Sequence, residues 1–354
     1  MENIVNSSTT QLVTSPERFI WDVTYACPLR CIHCYSESGR RPARMLERKD
    51  MLRVVEAIIR AKPKRISFAG GEPLLAPWWD EAAALFSTAG IPVTMFLSGW
   101  VMNDDVAARL ATTVAGVTVS VDGPNSQVHD RIRGRAGSFD RAMATLDRLN
   151  RLKQKRASQG QSCYRLGIEY TVMRSGKSNL GTFVEKASAR FSALDDIRFG
   201  AVIPGGLAQE VEFVESELLA DDELEALVES ETTLIAHAKN GVQASVTDVR
   251  SFLPSSPLSA EGATIAQVEP DGSLRAFPLY EAKVGNLLEE PIEVLWKRAL
   301  AWRNDPFVLE QLSSIQTLTD WARVTRILDR RFGSEADKAR IARRSTVGTA
   351  RLGV

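Results

Sequence analysis

Cysteine is scarce in this sequence. Four thiols in 354 residues are too few for a disulfide framework. Net charge is missing too: 44 basic side chains balance 44 acidic ones, so no global field draws the chain to nucleic acid or to an anionic membrane. No apolar run approaches the roughly eighteen residues of a membrane span. The polar start MENIVNSSTTQLVTSPERF lacks the apolar segment of a signal peptide. These absences exclude a secreted disulfide scaffold and a membrane protein, and they imply a cytoplasmic chain whose residues 1–18 form a flexible leader. What is present is ordinary for a soluble globular protein, with 44% hydrophobic and 25% charged residues, and long enough for more than one domain.

Apolar runs alternate with helical patterns. FIWDVTY (19–25), RISFAG (65–70), PVTMFLS, GVTVSVDG, YRLGIEYTVMR and IRFGAVIP read as six strands. Amphipathic stretches such as ERKDMLRVVEAIIRA and NDDVAARLATTV separate them, the second with Asn103 or Asp104 as N-cap. Strict alternation implies a parallel sheet with helical crossovers, and six units predict an α/β partial (β/α)6 barrel over 19–210. Residues 211–257 read as an acidic helical bridge. Residues 258–305 contain a hairpin turning at Asp271-Gly272 and a helix with Trp296, and 306–354 form a helical tail with a basic end.

In parallel α/β folds the loops after the strands carry the chemistry. Three of the four cysteines, Cys27, Cys31 and Cys34, follow the first strand within eight residues. Gly70-Gly71-Glu72-Pro73 follows the second strand, Ser98-Gly99-Trp100 the third, and Ser120 to Gly123 ends the fourth. A structural zinc usually takes four protein ligands, and His33, between two of the thiols, can hardly turn to the same ion. An iron–sulfur cluster normally takes four cysteines. With three, one iron keeps an open position, which suggests chemistry rather than scaffolding. Cys163 precedes the fifth strand and should lie at the opposite end of the barrel. It reads as a small apolar residue at a strand start rather than as a hydrogen donor to a substrate radical.

The pattern Cys27-x3-Cys31-x2-Cys34, followed by Gly70-Gly71-Glu72-Pro73, resembles the radical S-adenosylmethionine (radical SAM) superfamily. The resemblance implies one [4Fe–4S] cluster on the three cysteines, with the amino and carboxylate groups of SAM on the fourth iron. It further implies reductive cleavage of SAM to a 5′-deoxyadenosyl radical that removes a hydrogen atom from an unactivated carbon. Roles carry over by motif. His33 stands where the main chain meets adenine, and its side chain reads as a pocket wall. Gly70 and Gly71 expose main-chain groups to the methionine ammonium. Glu72 orients that ammonium or ties down its turn, and both roles can hold together. Ser98 falls near the ribose, Ser120 contacts SAM, Arg133 pairs with the SAM carboxylate, and Val202 lines the adenine site. His129 reads as a loop-fixing hydrogen-bond partner.

The stretch EPDGSLRAFPLYEAKVGNLLEEPIEVLW (269–296) is similar to a SPASM/twitch core, but Phe277 stands where that pattern has a cysteine. The expected upstream cysteine falls near Ser259. The resemblance therefore implies a degenerate cap without an auxiliary cluster, which shifts weight toward redox-neutral outcomes.

Trp78, Trp79 and Trp100 near the rim read as packing anchors ahead of a substrate wall. The nine Lys/Arg among residues 323–354, against three Asp/Glu, and the stretch RLNRLKQKR read as solvated faces ahead of docking surfaces. The function implied is hydrogen-atom abstraction from a peptide or other natural-product intermediate. The small-molecule alternatives are an epimerase, a dehydrogenase or a mutase. A non-catalytic metal-stabilised binding module is the reading from a different class. An external reductant such as a flavodoxin or ferredoxin is implied, and a separate leader-peptide-binding protein, since no room for such a domain is read before Phe19. No individual catalytic side chain is assigned by the sequence.

Overall fold

The computed structural model describes residues 15–253 and 264–344. Strand β1 (Arg18–Thr24) is followed by α1 (Arg48–Arg60), β2 (Arg65–Gly70), α2 (Trp79–Thr88), β3 (Val93–Leu97), α3 (Asp104–Thr113) and β4 (Gly116–Ser120). Two helices, α4 (Ser126–Arg133) and α5 (Ser138–Ser158), precede β5 (Arg165–Val172), and α6 (Leu180–Arg190) leads to β6 (Asp196–Ala201). Strands β1 to β6 pair in sequence order and all in parallel, as helical crossovers require.

Burial alternates along these strands. In β5, Ile168, Tyr170 and Val172 belong to the main core beneath the helices, whereas Glu169 and Thr171 are only half-buried on the other face. In β6, Ile197, Phe199 and Ala201 are buried, while Arg198 and Gly200 are half-buried. This period of two gives the sheet one oily face and one polar face. Helix α1 covers the oily face with Met51, Val54, Val55 and Ile58, a 3.6-residue stripe in which each side chain contributes about 2 kcal/mol by burial. Trp21 stacks on Trp78 and meets Phe68 and Phe86 edge-on. Trp78 and Trp79 are therefore core anchors. Trp100 instead lies between Arg135 and Arg141, whose guanidinium carbons sit 3.7 and 4.3 Å from its ring centroid.

The acidic stretch after β6 is helical as the sequence predicts, in α7 (Val211–Ser216), α8 (Asp221–Glu229) and α9 (Glu231–His237). A seventh parallel strand that the sequence reading lacked, β7 (Gln243–Thr247), then extends the sheet beyond β6. Its half-buried QASVT has neither strong alternation nor a long apolar run, so only its neighbour reveals it.

The chain returns to the opposite edge. Strand β8 (Ile265–Val268) pairs in parallel with β1. The predicted turn at Asp271-Gly272, with Gly272 at φ +85, leads to antiparallel β9 (Ser273–Arg275) and β10 (Lys283–Asn286). One ten-stranded sheet results, running β10-β9-β8-β1 and on in order to β7. Helices α10 (Ile292–Arg303), α11 (Pro306–Ser313), α12 (Leu318–Phe332) and α13 (Glu335–Ala342) complete the described chain. Phe277, at the expected cysteine position, sits in a second small core with Tyr280, Val308, Leu312, Val324 and Leu328. Residues 1–14 of the leader, and Ser259, lie outside the described residues. Among the described residues no helix is long and apolar enough to cross a membrane.

Candidate active site

The three clustered cysteines lie on the loop that leaves β1, and neighbouring loops hold that loop by its main chain. Gly71 N–H donates to Thr24 O at 2.7 Å and Glu72 N–H to Ala26 O at 2.8 Å, which staples the GGE turn after β2 to the start of the loop. A Cβ on Gly71 would lie 2.1 Å from Ala26 O, so the approach requires glycine. The end of α4 grips the middle: Arg30 N–H donates to Arg133 O at 3.0 Å and Ile32 N–H to Ile132 O at 2.9 Å. Leu207 N–H, from the segment after β6, donates to Cys34 O at 3.1 Å. Three exposed arginines cap further carbonyls: Arg30 those of Cys27 and Leu29, Arg40 that of Cys31, and Arg135 that of Pro28.

Each sulfur has a polar neighbour. Leu29 N–H donates to Cys27 Sγ at 3.5 Å, Arg133 Nη1 donates to Cys31 Sγ at 3.8 Å, and Ser36 Oγ lies 3.5 Å from Cys34 Sγ. Burial, then the neighbouring thiol, pushes Cys27 up to about 12. Burial likewise outweighs Arg133 and pushes Cys31 up to about 11. Bare thiols at these sites are protonated at neutral pH, and only a cationic centre would hold them as thiolates. Among the described residues no three His, Cys, Asp or Glu side chains gather around a single ion. Three thiols on one loop would suit an iron–sulfur cube, in which each thiolate would meet its own iron and hydrogen bonds to sulfur would tune the potential.

Beneath the loop lies a buried charge network. Arg133 Nε is 2.6 Å from Asp122 Oδ2. Asp122 Oδ1 accepts Thr171 N–H at 3.0 Å, and Asp122 N–H donates to His129 Nδ1 at 3.1 Å. Burial pushes the Asp122 carboxyl up, but Arg133 and the nearby histidines outweigh it and hold the group below its ordinary range. His129 is fully buried and fixes the loop after β4, as its sequence context suggests. Burial takes it down to about 4, so it is neutral. His33 Nε2 lies 3.5 Å from Asp122 Oδ2, and burial takes His33 also to about 4.

Glu72 is a buried carboxylate that ties the β2 and β3 exits together. Its Oε2 accepts both the N–H, at 3.0 Å, and the hydroxyl of Ser98, and Oε1 accepts Leu74 N–H at 3.5 Å. Burial outweighs these bonds and raises it to about 7. Ser98 thus spends its hydroxyl on the turn. Ser120 stands half-buried at the end of β4, directly across from Glu169 of β5. Val202, 3% exposed, packs in the main core just past β6. Cys163 is exposed before β5, so it is not the packed apolar residue that its strand-start position suggested.

Asp122, Tyr35 and Arg40 were not singled out by the sequence. Tyr35 donates to Asp22 Oδ1 at 2.7 Å and accepts Gly70 N–H at 3.1 Å, bracing the cysteine loop against the glycine turn. Asp122 sits in the SVDG turn, and that position was the available signal.

The fold is a parallel α/β open barrel with a three-thiol loop at its first strand exit. Residues 21–164 match the model of the Radical SAM superfamily. The chain is 30% identical to mycofactocin maturase MftC of Mycobacterium ulcerans over 190 residues, 53% of this chain and 46% of that one. It is 29% identical to the AdoMet-dependent heme synthase of Methanosarcina barkeri over 142 residues, 40% of this chain and 41% of that one. The match thus spans about half the length of these relatives or less. Crystallised Streptococcus suis SuiB bound to S-adenosylmethionine shares the fold at TM-score 0.62 and 14% identity, over 85% of this chain and 68% of that one. The superfamily's cofactors are a [4Fe–4S] cluster and SAM. The three thiols, their hydrogen-bonding neighbours and the raised pKa values of Cys27 and Cys31 fit such a cluster.

Proposed function

We propose that this chain is a radical SAM enzyme that begins hydrogen-atom abstraction on a peptide substrate. Cys27, Cys31 and Cys34 would hold the cluster. The observation that carries this reading is the three-thiol loop stapled to the GGE turn, with a sulfur-directed guanidinium beneath it. When bound, the cluster and SAM supply a 5′-deoxyadenosyl radical that removes a hydrogen atom from carbon.

The chain's own residues prepare that event. Gly70 and Gly71 let the turn pack against the cysteine loop where a side chain would collide with main chain, and the turn would face the SAM ammonium beside Glu72. Arg133 offers a planar fork of donors. Nε faces Asp122 and Nη1 faces Cys31, and Nη2 has no partner among the described residues, so it would take the SAM carboxylate. His33 and Val202 would wall the adenine, and Ser98 and Ser120 would border the ribose. The electron has to come from outside, from a reductant of the flavodoxin or ferredoxin kind.

A peptide is favoured as substrate because SuiB, of the same fold, is known in complex with its precursor peptide SuiA, and because a maturase is among the similar relatives. A separate protein would deliver the leader of such a peptide. The heme synthase similarity supports a small-molecule substrate as the second reading.

The test is anaerobic purification followed by iron analysis and incubation with SAM and dithionite. The expected result is about four irons per chain, as a single cube requires, with release of 5′-deoxyadenosine. Replacing all three cysteines by Ala removes both. A colourless protein that leaves SAM intact overturns the reading.

A further inference from the structure

Arg323, Arg330, Arg331 and Arg343 of the basic tail are exposed as solvated faces are, but Arg340 and Arg344 are not. Arg344, just past α13, has a side chain only 1% exposed. Its Nε and Nη2 donate to Glu37 Oε1 at 2.9 and 2.7 Å. Its Nη1 donates to Gly206 O at 3.1 Å, and its Nη2 also reaches Glu281 Oε1 at 3.3 Å. Arg340, one turn earlier, pairs with the same Glu37 and, at 2.8 Å, with Glu281. Glu37 lies three residues after Cys34 and donates its N–H to Cys34 O. Its φ of +52 is one that a non-glycine residue keeps only when its surroundings fix it.

The partners come from three separate parts of the chain. Glu37 belongs to the cysteine loop, Gly206 to the segment after β6, and Glu281 to the turn between β9 and β10. Gly206 itself approaches so closely that a Cβ would lie 2.3 Å from Tyr35 O. Glu281 is anchored in turn by Arg275 at 3.5 Å, whose side chain is fully buried and lies 2.9 Å from Glu269. Lys283 joins Glu269, at 3.5 Å, to Asp337 at 2.6 Å, and Asp337 meets Arg340 at 3.2 Å. A continuous buried ion network therefore runs from the C-terminal hairpin through α13 to the loop that carries the thiols.

We propose that Arg344, assisted by Arg340, is a positioning residue for the cysteine loop: its guanidinium locks Glu37 against Glu281 and the Gly206 carbonyl, and so holds Cys34 in place for the metal cluster. The proposal rests on the cluster reading above. Neither arginine touches a sulfur. They act through Glu37 and the main chain that follows Cys34. Charge alone would not suffice, because a guanidinium reaches three acceptors in one plane and an ammonium does not.

The experiment compares wild-type protein with R344A, R344K, E37Q and R343A. Arg343 is exposed on the same turn and serves as the control for charge. Reconstituted proteins are mixed with an iron chelator under argon, and iron loss is followed by the cluster's visible absorbance. Circular dichroism melting is recorded in parallel. R344A and E37Q should lose iron about tenfold faster, the scale of losing a residue that supports a metal ligand. R344K should recover only part of the loss, and R343A should match wild type. E37Q keeps the test open should R344A fold poorly. Wild-type iron-loss rates in both R344A and E37Q overturn the proposal, as does equal acceleration in R343A. A wild-type protein that never binds iron overturns the functional reading instead, and the clamp with it.

Discussion

Arg133 Nε lies 2.6 Å from Asp122 Oδ2, while Nη1 of the same guanidinium points at Cys31 Sγ from 3.8 Å. One buried side chain thus joins the end of β4 to the thiol loop. Removing it strands a carboxylate that is fully buried. Arg133→Ala should therefore cost about 3–5 kcal/mol in urea unfolding. The double variant R133A/D122N should recover a large part of that loss, since no unpaired charge is left. Additive losses would refute the pairing.

Gly71→Ala tests the staple between the glycine turn and the cysteine loop. The added Cβ would meet a main-chain oxygen at 2.1 Å, which cannot swing aside as a side chain would. A cost of about 1–3 kcal/mol is expected from overpacking, together with loss of bound iron. Gly116→Ala is the contrast, because its nearest neighbour would be Thr94 Oγ1 at 3.5 Å, an ordinary contact. That variant should keep its iron.

His129 makes stability depend on pH. Burial lowers it from 6.5 to about 4 in the folded chain, so between those values the unfolded chain binds the proton and the native one does not. Its contribution is fully present above pH 6.5 and is lost as pH falls through about 4. The difference amounts to about 3 kcal/mol. His129→Asn keeps an acceptor for Asp122 N–H but cannot titrate. Urea midpoints measured from pH 7 to pH 4 should fall less steeply for H129N than for wild type, and identical slopes would refute the assignment.

Phe277→Ala probes the C-terminal core, where an aromatic stands in place of a thiol. Phe277 packs edge-on to Tyr280, and Tyr280 OH accepts Trp321 Nε1–H at 3.0 Å. Truncation should cost about 3–5 kcal/mol, read by thermal or urea unfolding, while iron content stays as in wild type. Loss of iron in this variant would mean that the cap's packing and the cluster loop are not separable.

Much of the barrel was legible because its signals are local. Alternating apolar positions announce β1 to β6, and Asn103 does accept Val106 N–H at the start of α3. Helix α4 escaped notice, although Asn125 caps it through Val128 N–H, because only eight mostly polar residues form it. The roles of Glu72 and Ser98 were half legible. Their mutual hydrogen bonds depend on two strand exits being neighbours, which no single stretch encodes.

The primary structure by itself determined the thiol spacing, the glycine turn and the order of strands and helices, because each depends on residues a few positions apart. Tertiary structure alone decided which charges are spent inside. Arg344 lies 307 residues from Glu37, and its basic neighbours gave every sign of a wet surface until the fold closed over it. Desolvation is the reason: a charge's role depends on what surrounds it, and those surroundings come from remote parts of the chain.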